Sequence, residues 1–131
     1  MTSTSRWARR PEGDPRHDLG RAGEAAVAAA YVAQGFAVVA TNLRTKAGEL
    51  DLVVRRGRLL VAVEVKTTRD HPAPERLVTA AELARREAAL RAVARVFVPR
   101  GKVSLRVDVA AVRWQPESGP ELRTFPGELL P

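Results

Sequence analysis

The segment GELDLVVRRGRLLVAVEVK, residues 48–66, decides how this chain is read. Two apolar runs, Gly48 to Arg55 and Arg58 to Lys66, flank Arg56-Gly57, the pattern of two strands joined by a tight hairpin. Both runs carry charge where a strand interior is normally apolar: Glu49 and Asp51 in the first, Glu64 and Lys66 in the second. Carboxylates buried in a sheet destabilise it unless something pairs with them. A divalent metal is one such partner, and acids with a lysine beside a metal suit phosphodiester cleavage.

Side chains alternate across a strand, so Glu64 and Lys66 project to one face, about 6.6–6.8 Å apart, with Val61, Val63 and Val65 on the other. The same parity gives Glu49 and Asp51 one face and Leu50, Leu52 and Val54 the opposite one. Pairing through the Arg56-Gly57 turn then brings Asp51 beside Glu64. Mg²⁺ typically keeps waters alongside one or two carboxylates. Asp51, Glu64 and the backbone carbonyl of Val65 are therefore candidate ligands for Mg²⁺ or Mn²⁺. Lys66 is the candidate to orient or deprotonate a water and to offset transition-state charge. The competing arrangement is an Asp51–Lys66 ion pair at a sheet rim, with Glu49 and Glu64 solvated on a wet face.

Working outward, Leu19 to Gln34 is an alanine-rich helix with Gly35 placed to end it. Gly20-Arg21-Ala22-Gly23-Glu24 sets Glu24 in the first turns of that helix, and close packing on the sheet brings it toward the same cation. Phe36 to Ala40 reads as a short apolar strand and Asp70 to Pro74 as a loop. Val78 to Val98 is a long amphipathic helix in which Thr79 and Glu82 form a capping box. Arg86 lies on its apolar stripe with Leu90, Val93 and Phe97. It is expected to face the site, paired with Glu82 at i,i+4, or else to snorkel at the stripe's border. Lys102 to Trp114 alternates as a strand, Gln115 to Pro120 is a turn, and Glu121 to Phe125 is a last edge strand. The order α-β-β-β-α-β(-β) implies an α/β fold with a mixed sheet and helices against it.

At 131 residues, 45% apolar and 28% charged, the chain suits one soluble globular domain. We assign residues 19–131 to it and read Met1 to Asp18 as a flexible basic arm. In that arm Arg6, Trp7, Arg9 and Arg10 suit nucleic-acid contact. The absence of cysteine excludes disulfides and thiolate-bound zinc, and His17 and His71 are isolated. The longest apolar run, Ala25 to Ala33, is too short to span a bilayer, and no apolar core follows the N-terminal arginines, so a cytoplasmic protein is expected. A net charge of +7 points to an anionic partner. Of 22 basic residues only Lys46, Lys66 and Lys102 are lysine, and the arginine fork suits phosphate. Arg44, Lys46, Arg69 and Arg86 are candidate phosphate contacts. An aromatic content of 5% argues against a stacking platform for single strands.

Four motifs in order carry a resemblance: Gly20-Arg21-Ala22-Gly23-Glu24, Asn42-Leu43-Arg44, Gly48-Glu49-Leu50-Asp51-Leu52-Val53 and Val63-Glu64-Val65-Lys66-Thr67. Together they resemble the bacterial UPF0102 (YraN) family, over residues 19 to about 114, with Arg106-Val107-Asp108-Val109 similar to its late strand. That family looks like part of the PD-(D/E)XK nuclease superfamily, which implies a restriction-endonuclease-like fold with an αβββαβ core. By the motif match Asp51, Glu64 and Lys66 take the catalytic positions and Glu24 the helical acid. Archaeal Holliday-junction resolvases share this arrangement, so the resemblance implies a DNA partner, with branched or structured DNA as the narrower expectation. The chain departs from the family pattern where Thr68 precedes Arg69 and where Glu82 replaces a basic residue. Two classes of function follow: a metal-dependent endonuclease, and a nucleic-acid-binding or adaptor protein that cleaves nothing. With one site per chain, cutting both strands would call for a homodimer.

Overall fold

The alanine-rich segment folds as a helix, α1 (Pro15–Ala33), that starts four residues before the expected Leu19. Proline is tolerated in a first helical turn because the missing N–H has no intrahelical partner there. Glu24 consequently lies in the middle of α1 rather than in its first turns. Gly35, at φ +93°, follows the helix in the left-handed conformation that stops it. The computed structural model describes residues 15–69 and 74–131. Arg6, Trp7, Arg9 and Arg10 of the expected basic arm lie outside the described residues, as do Asp70 to Ala73 with His71.

Three antiparallel strands follow: β1 (Ala37–Thr45), β2 (Gly48–Arg56) and β3 (Leu59–Thr68). The β2–β3 loop is Gly57-Arg58, set by the register Arg56↔Leu59, with Gly57 at φ +60° as the first position of a type II′ turn demands. β1 runs five residues beyond Ala40, because pairing with β2 continues to Thr45↔Gly48 through polar residues that break the apolar pattern. A short turn of helix, α2 (Pro74–Leu77), precedes α3 (Ala80–Phe97), so the expected helix from Val78 begins two residues later. Thr79 caps α3: its Oγ1 accepts from the Glu82 N–H and its own N–H donates to the Glu82 carboxylate. β4 (Ser104–Gln115) then lies parallel to β3, and β5 (Gly119–Phe125) closes the edge antiparallel to β4.

The sheet order is β1-β2-β3-β4-β5, with β3–β4 the parallel pair. This is an αβββαβ core with a mixed central sheet flanked by helices, as expected for a restriction-endonuclease-like fold. α1 covers one face, burying Val27 and Tyr31 on Leu52, Val54, Val61, Val63, Ala110 and Val112. α3 covers the other, burying Ala89, Leu90 and Ala94 on Val53, Leu60, Ala62, Leu105 and Val107. Strict alternation along β3 feeds both clusters, and each buried valine or leucine of it stabilises by roughly 1.5–3 kcal/mol.

One residue breaks the alternation. Leu50 packs in the α3 cluster with Val53, not with Leu52 and Val54 under α1. The shared face expected for Leu50, Leu52 and Val54 is therefore incorrect, and the reason lies between Leu50 and Leu52, at Asp51.

Candidate functional site: a forked sheet with an acid pair

The β2–β3 ladder runs from Arg56↔Leu59 to Leu52↔Val63 and stops there. Both strands continue. β2 stays paired with β1 to Gly48, and β3 stays paired with β4 to Thr68↔Arg113. The sheet thus forks into two ribbons at Asp51, whose Oδ2 accepts the Val65 N–H at 2.9 Å. That N–H lies in the ladder direction, so the carboxylate occupies the plane of the sheet in place of a strand backbone. Within a strand the N–H and C=O of one residue point to the same neighbour, which aims the Val65 carbonyl at the fork too. Opposite Asp51, between the register pairs Thr41↔Leu52 and Leu43↔Leu50, Asn42 takes a left-handed φ of +49°. A non-glycine there is uncommon, and asparagine is among the few that tolerate it. This irregular backbone on β1 stands across from the point on β2 where Leu50 and Leu52 fall out of alternation.

Because the fork is open in the sheet plane, groups from both faces reach it. From one face, α1 delivers Glu24, whose Oε1 accepts from Asn42 Nδ2 at 3.3 Å. The helix comes close here: a methyl on Gly23 would already touch Val112 and Thr67, at 3.5 and 3.6 Å. From the other face, α3 delivers Glu82 and Arg86. Glu64 is 5% exposed; its Oε1 accepts from Arg86 Nε at 2.6 Å and its Oε2 lies 3.4 Å from Lys66 Nζ. Lys66 also reaches Glu82 Oε2, at 3.2 Å. Glu82 therefore caps α3 with one oxygen and holds the lysine with the other.

Two expectations are corrected by these contacts. The rim arrangement, Asp51 with Lys66 and a solvated Glu64, does not occur: Glu64 is buried and Lys66 pairs with Glu64 and Glu82. Arg86 does face the acids, but its ion pair is to Glu64 rather than to Glu82, because the lysine already occupies that carboxylate. Asn42 and Glu82 are the two site residues whose roles were not assigned from sequence. The capping signature Thr79-x-x-Glu82 located one of them without showing the lysine against it, and nothing in the sequence marked Asn42 as left-handed.

Burial pushes the Asp51 carboxyl up, the neighbouring Glu64 and Glu24 charges add to it, and despite the Val65 N–H and Arg86 it reaches about 7. For Lys66, burial works downward, but the Glu82 hydrogen bond and the Glu64 and Glu82 charges outweigh it and hold the ammonium protonated. Among the described residues no three acidic or histidine side chains gather into a ready-made metal cage. The donor set nevertheless fits a hard cation that keeps most of its waters. Asp51, Glu64 and the Val65 carbonyl supply two carboxylates and a carbonyl to the fork, and the charges of Glu64 and Glu24 add to burial in disfavouring the ionised Asp51, an electrostatic setting that a cation would relieve. A cavity of about 500 Å³ beside Thr79 is lined by Val78, Leu83, Val107, Val109 and Phe125, with no acid among its lining residues.

The remaining expected contacts are spread out. Arg44 is 71% exposed, 3.7 Å from Glu49; Lys46 is exposed in the β1–β2 turn and Arg69 just beyond β3. No helix among the described residues is long and apolar enough to cross a membrane.

Fold and site together define a class: an αβββαβ protein whose mixed sheet forks around an acid pair with a lysine two residues on. The chain belongs to the family described as uncharacterised protein family UPF0102, whose profile matches residues 23–112. A UPF0102 protein of Brucella canis is 39% identical over 98 residues, 72% of this chain and 78% of its own length. One from Syntrophotalea carbinolica is 39% identical over 116 residues, covering 86% of this chain and 91% of that protein. The matched span contains every residue of the fork.

Proposed function

We propose that this protein is a metal-dependent endonuclease of the PD-(D/E)XK type, hydrolysing phosphodiester bonds in DNA of branched or otherwise structured form. One observation carries the reading: strands β2 and β3 part at Asp51, and the gap gathers Asp51, Glu64 and the Val65 carbonyl with Lys66 against Glu64. Asp51, Glu64 and that carbonyl would hold Mg²⁺ or Mn²⁺, with Glu24 behind them through Asn42. The ion, when bound, supplies Lewis-acid polarisation of the phosphoryl oxygen and a more acidic water. Lys66, kept charged by two carboxylates, acts as a donor: it orients the attacking water and offsets charge on the phosphorane-like transition state. Taking up the proton of that water falls to the acid pair. The net charge of +7, with Arg44, Lys46 and Arg69 exposed, supports a DNA partner, and a DNA substrate would place the protein in the cytoplasm. Cutting two strands with one site per chain favours a homodimer.

The test is direct. The protein is incubated with linear, nicked, flapped and four-way DNA in Mg²⁺, Mn²⁺ or EDTA, beside Asp51→Ala and Lys66→Ala. We expect cleavage of a structured substrate that is abolished by EDTA and reduced at least about a hundredfold by either variant. Cleavage indifferent to both would sink the proposal. A second reading, a non-cutting DNA-binding adaptor, is favoured by the closed ion pairing: Glu64 is held by Arg86 and Lys66 by Glu82. Binding to DNA without cleavage in either metal would select it.

A further inference from the structure

Arg86 does something at this fork that the cleavage chemistry leaves unused. It rises from the second turn of α3, half-buried, and puts Nε 2.6 Å from Glu64 Oε1. Its guanidinium extends from there across to the start of β2, where a Cβ built on Gly48 would lie 3.5 Å from Arg86 Nη1. The cation thus reaches from β3 to β2 over the opening in which Asp51 sits, and its charge acts on both acids. With Lys66 Nζ on the other oxygen of Glu64, both oxygens of that carboxylate already face a positive group.

We infer that Arg86 is the resident counter-cation of the acid pair, occupying Glu64 in the absence of a divalent ion, so that metal and arginine compete for the same carboxylate. The inference rests on reading the fork as a cation site. It does not require that the protein cut DNA. A guanidinium and a hard cation use the same lone pairs of a carboxylate, and two like charges side by side in a half-buried cleft repel strongly. The arginine's forked head makes the competition geometric as well as electrostatic, since Nε holds Glu64 while Nη1 lies over the start of β2. Metal entry therefore requires the guanidinium to swing off Glu64. Once off Glu64, the long side chain can reach out of the cleft, where a substrate phosphate would be its natural new partner. Arg86 thereby makes divalent-ion binding weak in the free protein and turns the arginine toward substrate when the ion arrives.

Two measurements on the full chain test this, neither using cleavage. Mn²⁺ binding is followed by loss of the free-ion electron-paramagnetic signal, for the wild type, Arg86→Gln and Asp51→Asn, each checked by circular dichroism. We expect Arg86→Gln to bind Mn²⁺ about tenfold more tightly than wild type and Asp51→Asn to bind it hardly at all. An affinity for Arg86→Gln equal to or below that of wild type overturns the inference. Should Arg86→Gln fail to fold, because Glu64 is left buried beside fewer positive groups, the wild type suffices with the charge-conserving Arg86→Lys used only for assignment. Its Arg86 Nε–H resonance, assigned by its loss in Arg86→Lys, is followed during Mg²⁺ titration. Release from Glu64 must shift that signal in step with metal binding; a signal unmoved at saturation overturns the proposal. Mg²⁺ binding that shifts Arg86 without any DNA cleavage would sink the endonuclease reading while leaving the competition intact.

Discussion

Asp51 is at once the best-placed residue of the site and a burden on the fold. Its carboxyl is held near 7 rather than in the ordinary aspartate range, chiefly by burial and then by Glu64. In strongly acidic solution the group is protonated in both folded and unfolded chains and has no effect on stability. As pH rises past the ordinary aspartate value, the unfolded chain gives up the proton while the folded chain keeps it, so stability falls until about pH 7 and is level beyond. Asparagine can still accept the Val65 N–H through its amide oxygen but carries no charge. We therefore expect Asp51→Asn to be more stable than wild type by on the order of 2 kcal/mol at pH 8 in EDTA, and nearly equal to it at pH 4. Urea midpoints at the two pH values decide this, and identical midpoints at pH 8 would contradict it. At this scale the sequence marked Asp51, Glu64, Lys66 and Glu24 by residue type and spacing alone. It did not show which cation each acid meets, because Arg86 and Glu82 approach from a helix some twenty residues away in the chain.

Elements set those partnerships. α3 is positioned by the Thr79 capping box, in which Glu82 closes the box with one oxygen and grips Lys66 with the other. A single side chain thus ties the start of the helix to the lysine of β3. Thr79→Ala removes the acceptor for the Glu82 N–H and should cost about 1 kcal/mol. It should also loosen Lys66, visible as faster exchange of its ammonium protons with solvent. An unchanged urea midpoint would show the cap to be dispensable. The cap was legible in the sequence because Thr-x-x-Glu ahead of an apolar stripe has few other meanings. β1 was only half legible: Thr41, Asn42 and Arg44 interrupt its apolar run, and pairing with β2, not propensity, extends it to Thr45. The early start of α1 at Pro15 escaped for a similar reason, since a first turn made of polar residues shows no period.

The whole molecule closes around Asp108, which is fully buried on β4. Tyr31 from α1 donates to its Oδ2 at 2.6 Å, Arg106 grips it with Nε and Nη2 at 2.8 and 2.9 Å, and the N–H of Gly127 reaches Oδ1 at 3.0 Å. A buried carboxyl is tolerated here because Tyr31, Arg106 and Gly127 all donate to it. The segment after β5 follows the same outer edge of β4: Leu129 bridges Arg106, and the Leu130 N–H donates to the Leu105 carbonyl at 2.8 Å. Gly127 passes so near the Val107 carbonyl oxygen that a Cβ there would collide with it. Gly127→Ala must therefore push the chain off Asp108, and we expect a loss of roughly 1–3 kcal/mol, read as a lower urea midpoint. A midpoint equal to that of wild type would mean that the seam yields without cost. The alternation of Leu105, Val107 and Val109 announced β4, but nothing local connected Asp108 to Tyr31, 77 residues earlier, or to a glycine beyond the last strand.

What the sequence determined by itself is the order of elements and the identity of the acids and lysine. Both are consequences of short-range rules: period two in strands, period 3.6 in helices, capping and turn chemistry. What only the tertiary structure decided is the fork. Strand parity assumes a continuous ladder, and under it Leu50 belongs with Leu52 and the acids with one face of the sheet. The ladder instead ends at Leu52↔Val63, Asn42 kinks the neighbouring strand, and Asp51 turns into the sheet plane to take the Val65 N–H. An in-plane carboxylate can be approached from both faces, and that is how Glu24 from α1 and Arg86 from α3 come to act on the same group.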